Sequence, residues 1–127
     1  MAERRPGDLE KKIKDITRQM AESDEVARLL RLYEGLPPKQ FALAEGLIIQ
    51  AARLRVRLDK LWLELQEKGE TEWFTQSEKT EPYERERPAS RTFTATDKSY
   101  QSIIKQLNDM IPAEDDDDID ELDEFRP

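Results

Sequence analysis

The chain has 127 residues, of which 39% are charged and 36% are apolar, and it contains neither cysteine nor histidine. This length predicts a single domain. The composition excludes thiolate nucleophiles, imidazole bases, disulfides and the usual zinc ligands. The four glycines are scattered singly, so no glycine-rich phosphate loop is present. We therefore expect a protein that is not an enzyme and that uses no cofactor or metal ion.

The N-terminal segment, residues 1–36, has two short apolar patterns with helical spacing. In the first, Asp8 is placed to cap a helix, and the apolar residues that follow at spacings of four, three and four are Leu9, Ile13, Ile16 and Met20. Ser23–Asp24 offers a new start for a second short helix, which ends at Gly35–Pro38. No apolar stretch of this segment is typical of a secretory signal.

The next segment, residues 37–112, is predicted to form the oligomerisation core, and its first element is a helix over 37–68. Residues 47, 51, 54, 58, 61 and 65 form a heptad seam on this helix, and Ile49, Val56 and Leu63 form a second row. Charged residues interrupt the stretch too often for a membrane span, so we expect a cytoplasmic protein. A second apolar face needs a second partner, and we predict that other copies of the chain supply it. The predicted oligomerisation residues are Leu47, Ile49, Leu54, Val56, Leu58, Leu61, Trp62 and Leu63.

Residues 69–87 have no helical period. The aromatic and threonine content of Thr71–Gln76 is typical of a strand, and Ser77–Thr80 is polar enough for a turn, so this segment is either a short β-hairpin or a flexible loop. Pro88 suits the first position of a last helix over 88–111. The fold class is therefore predicted to be all-α, with a long antiparallel helical hairpin that carries the aromatic segment at its tip.

The net charge of −8 lies in the last segment, residues 113–127, because residues 1–112 are neutral overall. This acidic segment has nine acidic side chains and one basic side chain. Its acidic run, Asp115–Asp118, lacks the spacing and the glycine of a calcium loop, and its self-repulsion predicts disorder. The apolar residues that recur every three positions, which predict a motif that docks on a partner, are Ile119, Leu122 and Phe125. The alternative is an acidic segment that has no partner.

Two clusters of basic residues are candidates for phosphate contacts, because Lys and Arg supply the salt-sensitive part of nucleic-acid affinity. The N-terminal cluster is Arg4, Arg5, Lys11, Lys12, Lys14 and Arg18. The second cluster, on the long helix, is Arg53, Arg57 and Lys60. The alternative for each cluster is an ordinary solvated face whose cations pair with nearby carboxylates, as Arg55 with Asp59.

From about Phe41 to Pro112, the order of these parts resembles the small subunit of phage terminases. The resemblance rests on the long helix with Leu58–Leu61, its stop at Lys68–Gly69, the aromatic segment, the entry Arg87–Ala89 and the last helix with Tyr100–Leu107. It implies a non-enzymatic ring that binds double-stranded DNA at the viral packaging site. It also implies that the ring recruits the large terminase subunit, which carries ATPase and nuclease activity, through a terminal segment. The chain departs from many members of the family because it has no clear helix-turn-helix near its N-terminus.

The same sequence features are compatible with two other classes of function. The heptad seam alone is equally typical of a coiled-coil interaction or scaffold protein that has no contact with nucleic acid. The acidic segment is also typical of a regulator that mimics nucleic acid and blocks a basic groove, either on a partner or on the chain itself.

Overall fold

The computed structural model describes residue 5 and residues 7–112 of the chain. Three helices and one two-stranded sheet follow each other as α1 (Asp8–Leu32), α2 (Pro38–Lys68), β1 (Thr71–Phe74), β2 (Tyr83–Glu86) and α3 (Pro88–Asp109). The predicted predominance of helix is confirmed. The predicted disorder of the acidic segment, residues 113–127, lies outside the described residues.

Helix α1 is one continuous helix of 25 residues, so the predicted restart at Ser23–Asp24 is wrong. Residues 21–32 contain no proline or glycine, and helix propagation through a weak N-cap signal costs less than a second nucleation. Asp8 also does not cap the first turn, because its carboxylate Oδ2 accepts the backbone N–H of Arg5 at 2.8 Å, outside the helix. Gly7, with a φ of +91°, precedes the helix instead.

Helices α2 and α3 pack against each other as the predicted antiparallel hairpin. The ring centroids of Trp62 and Phe93 lie 5.8 Å apart, and the guanidinium of Arg55 lies 5.2 Å from the centre of the Tyr100 ring. A step of seven residues towards the N-terminus of α2 therefore corresponds to a step of seven residues towards the C-terminus of α3. This constant register places the C-terminal end of α3 beside the N-terminal half of α2.

The segment between these helices is a β-hairpin, and the loop alternative is not what the structure has. Strands β1 and β2 pair in antiparallel register from Thr71↔Glu86 to Phe74↔Tyr83. The predicted turn over Ser77–Thr80 is present, since the N–H of Thr80 donates to the carbonyl of Ser77 at 3.2 Å. Pro82 lies just before β2, where it removes no hydrogen bond from the ladder.

The junction of the hairpin with the two helices is held by Arg87. Its guanidinium donates to the carbonyl oxygens of Lys68 and Gly69 at 3.1 Å and of Thr71 at 3.3 Å, and it pairs with Glu72 at 3.4 Å. The bonds to Lys68 and Gly69 satisfy carbonyl groups that the end of α2 leaves without helical partners, and the bond to Thr71 reaches the start of β1. Arg87 thereby ties the end of α2 to the start of α3.

The main core joins all three helices. It is formed by Leu29, Tyr33, Leu36, Ala44, Ile48, Ala51, Ala52 and Leu107. The heptad seam is confirmed as an inward face, because residues 51, 58 and 65 are buried and residues 47, 54 and 61 are half-buried. The inward residues Ala44, Ile48 and Ala52 lie outside that seam. They are buried because α1 covers a second side of α2.

Within residues 7–112, none of the three helices combines the length and the apolar character that crossing a membrane requires.

Candidate nucleic-acid interface

An open groove runs between the N-terminal half of α1 and the middle of α2. We call it the α1–α2 groove, and its volume is about 1250 Å³. Its basic lining residues are Lys11, Lys14, Arg18, Arg53, Arg57 and Lys60. Its acidic lining residues are Asp15 and Glu22, and the apolar side chains include Ile13, Leu54 and Val56. The groove therefore carries a net formal charge of +4 in a body that is neutral overall.

Helical periodicity produces the two basic rows of this groove. Lys11, Lys14 and Arg18 are separated by three and four residues on α1, and Arg53, Arg57 and Lys60 by four and three on α2. Residues at these spacings lie on one side of a helix. The two clusters, which the sequence presents 42 positions apart at Lys11 and Arg53, become the two walls of one feature because α1 folds back along α2.

Most of the groove's cations are available to an anion. Arg18 is the exception, since it lies 3.6 Å from Asp15 and 3.9 Å from Glu22 and thereby engages both carboxylates of the groove. The other five, residues 11, 14, 53, 57 and 60, are exposed and make no ion pair with any residue in the described range. Five charges held on two rigid helices repel each other, so an anionic ligand would relieve the repulsion.

Arg55 and Arg28, which do not line the groove, are paired with nearby carboxylates, as expected for an ordinary solvated face. Arg55 pairs with Asp59 at 2.8 Å, as predicted, on the side of α2 that contacts α3. Burial acts to lower the pKa of Arg55, but the hydrogen bond and the charge of Asp59 outweigh it and the pKa is raised. The hydrogen bond from Arg28 to Glu25 is the main cause of a raised pKa of Arg28. These two cations are therefore engaged in ion pairs within the chain and are less available to a ligand.

Three predicted DNA-contacting residues do not line the groove. Lys12 is exposed on α1 and is not among the residues that line the groove. Arg5 is exposed ahead of α1, and its backbone N–H is held by Asp8. Arg4 lies outside the described residues, as do Ile119, Leu122 and Phe125 of the predicted partner-docking motif. The groove thus brings together six of the nine predicted DNA-binding residues.

Comparison with known proteins found no match. This holds for protein-family models, for curated protein sequences and for solved structures. The assignment of a function to the groove therefore depends on its own geometry and charge. Among the described residues, no group of three or more acidic side chains is arranged to hold a metal ion.

The predicted oligomerisation residues divide into three groups. Leu58 is fully buried within the chain, which corrects its assignment as a contact with other copies, because it has no surface left to offer. Leu47 and Leu61 are half-buried, and Leu54 and Val56 are half-buried along the groove. The residues that remain exposed on α2 are Ile49, Trp62 and Leu63, with 40%, 49% and 59% of their surface accessible.

The α1 stripe formed by Leu9, Ile13, Ile16 and Met20 is exposed along its whole length. The sequence pattern showed this stripe but did not indicate that it lacks a cover. Core contacts of α1 begin only at its C-terminal half, with Val26, Leu29 and Leu30. The N-terminal half of α1 therefore leaves the groove open and an apolar edge uncovered beside it.

Proposed function

We propose that this chain is a non-enzymatic DNA-packaging protein of the small-terminase type. It assembles into a ring, binds double-stranded DNA through the α1–α2 groove and recruits the large terminase subunit. The observation that carries the proposal is the groove itself, in which two helices present six cations against two carboxylates. Five exposed cations without ion pairs among the described residues suit a phosphate backbone, whose contacts position a protein on a duplex without reading its sequence.

The uncovered apolar surfaces support self-assembly. Trp62 and Leu63 on α2 and the α1 stripe expose large apolar side chains to solvent. Continuous apolar surface on a small domain marks a site of association. If the α1 stripe of one copy contacts Trp62 and Leu63 of the next copy and the reverse contact is not made in the same pair, the interface is heterologous, and heterologous contacts close into rings when the rotation permits.

The acidic segment, residues 113–127, recruits the partner. Ile119, Leu122 and Phe125 supply three large apolar side chains at regular spacing within a strongly acidic stretch. Such a segment suits a groove on a partner that is apolar at its floor and basic at its rim. In the terminase-type reading, that partner is the large subunit, and the host cytoplasm is the place of action.

The test is a pair of matched variants in a DNA-binding assay on the full chain. The groove variant R53Q/R57Q/K60Q and the control variant K39Q/K98Q/K105Q lose the same number of positive charges, and all six side chains are exposed. We expect the groove variant to lose most of its affinity for duplex DNA in fluorescence anisotropy, whereas the control variant keeps it. Equal losses would show that binding follows net charge alone and would overturn the groove assignment.

Native mass spectrometry of the same samples tests the ring. We expect a closed oligomer for both variants, because neither set of substitutions lies among the exposed apolar residues. A chain that remains a monomer of 14.9 kDa would contradict the assembly. Intact oligomers of the wild-type chain that bind no DNA at low salt would favour the coiled-coil scaffold instead.

A further inference from the structure

The α1–α2 groove offers both cations and apolar side chains to a ligand, whereas a phosphate backbone pairs only with the cations. Its rims are cationic, and its lining includes the apolar side chains of Ile13, Leu54 and Val56. Its volume of about 1250 Å³ also exceeds the roughly 300–1,000 Å³ of ordinary small-molecule sites, which favours an extended ligand. A peptide that carries both carboxylates and large apolar side chains would use every part of this surface.

Residues 113–127 of the chain have that chemistry. The acidic segment carries a net formal charge of −8, and the groove carries +4. It also contains Ile119, Leu122 and Phe125 between its carboxylates. This segment has the largest excess of negative charge in the chain.

The acidic segment is also within reach of the groove. It follows Pro112, and the end of α3 lies beside the N-terminal half of α2, since Leu107 shares the core with Ala44 and Ile48. Arg53 and Lys60 lie five and twelve residues beyond Ile48 on α2, which is about 8 and 18 Å at 1.5 Å per residue. An extended chain covers about 3.4 Å per residue. The fifteen residues of the segment are therefore long enough to pass around α2 and lie along the groove.

We propose that the acidic segment, residues 113–127, occupies the α1–α2 groove of its own copy when no nucleic acid is bound. The segment's carboxylates pair with the five exposed cations, and its apolar side chains contact the apolar part of the lining. DNA and the acidic segment then compete for one surface. A partner that binds the acidic segment frees the groove, and by linkage DNA that fills the groove frees the segment for the partner.

Carbodiimide cross-linking of the full chain without DNA tests this docking directly. The reagent joins a carboxylate to a lysine amine only where the two are in contact, and the groove has three lysines: Lys11, Lys14 and Lys60. Peptide mass spectrometry should find the carboxylates of residues 114–124 joined to these lysines in large excess over the exposed control lysines Lys39, Lys79 and Lys98. The cross-links should disappear at about 0.5 M salt, where exposed charges are screened.

A mixture of ¹⁵N-labelled and unlabelled chains identifies the source of the segment. Cross-links that join two peptides of the same isotope composition support docking on the same copy. Cross-links that join a labelled peptide to an unlabelled one would overturn that assignment. Cross-links spread evenly over all lysines, or absent, would overturn the docking itself. The variant D115N/D116N/D117N/D118N removes four carboxylates from the acidic segment and should lose most of the groove cross-links.

Loss of the segment's carboxylates should also strengthen DNA binding, and this effect depends on the proposed function. If the groove binds DNA, the same asparagine variant should bind duplex DNA about 5–150-fold more tightly, the usual range of coupling between two ligands. The cross-linking contains no DNA, so the two proposals fail separately. Groove cross-links together with no DNA binding would leave the docking in place and refute the DNA-binding function.

Discussion

Replacing the three groove cations of α2 should change the salt dependence of DNA binding by a predictable factor. The perturbation is R53Q/R57Q/K60Q, whose glutamines preserve helix propensity on exposed positions of α2. Lys11 and Lys14 remain as the exposed groove cations that make no ion pair in the described range. Salt dependence is the informative quantity because each phosphate contact releases counterions, whatever the DNA sequence.

The magnitude follows from the number of cations that are free to meet phosphates. Five contacts predict a slope of log affinity against log salt of about −4.5, and two contacts predict about −1.8, at about −0.9 per contact. Between 50 and 200 mM salt, these slopes correspond to losses of about 500-fold and about 12-fold. In a ring the slopes scale with the number of copies that contact DNA, but their ratio of about 0.4 does not change.

The assay is fluorescence anisotropy of a labelled duplex, titrated at five or six salt concentrations. We expect the ratio of slopes near 0.4 for the groove variant and near 1 for the control variant K39Q/K98Q/K105Q. A groove variant whose slope equals that of the wild-type chain would refute the reasoning, because it would place the phosphate contacts elsewhere. Circular dichroism at each salt concentration checks that both variants keep their helices.

Three further predictions concern the scaffold that positions the groove. The variant L107A should lower the free energy of unfolding by about 2–5 kcal/mol in urea denaturation, because Leu107 is fully buried where the three helices meet; a loss below 1 kcal/mol would contradict that packing. Gly69 has a φ of +84° and a ψ of 171°, a region almost restricted to glycine, so G69A should cost about 1–3 kcal/mol although a Cβ would meet no atom. Burial raises the pKa of the Tyr33 phenol, so the folded chain holds this proton more tightly than the unfolded chain. The protonated phenol therefore contributes fully to stability below about pH 10, and this contribution is lost as the pH rises further. The free energy of unfolding of Y33F should depend less on pH above about pH 10 than that of the wild-type chain. Equal pH profiles for the two chains would refute this effect of Tyr33.

Local signals in the sequence predicted both ends of α2 and the start of α3 to within one residue, whereas α3 ends at Asp109 instead of residue 111 and β1 ends at Phe74 instead of Gln76. Proline at the start of α2 and α3 and glycine at the end of α2 are local signals, which act through backbone geometry and need no tertiary contact. The seam on α2 and the antiparallel pairing with α3 were also predicted from the spacing of the apolar residues. The continuity of α1 did not, because a serine and an aspartate in a helix are as typical of a cap as of an exposed turn.

The packing of the helices determines which apolar and which basic residues act together. Helical spacing shows which residues share a side of one helix, but not which side another helix covers. Ile48 is buried and Leu63 is exposed because α1 and α3 cover two sides of α2 and leave a third uncovered. For the same reason the cations of α1 and those of α2, each an ordinary exposed cluster in the sequence, became the two walls of one groove when α1 folded back.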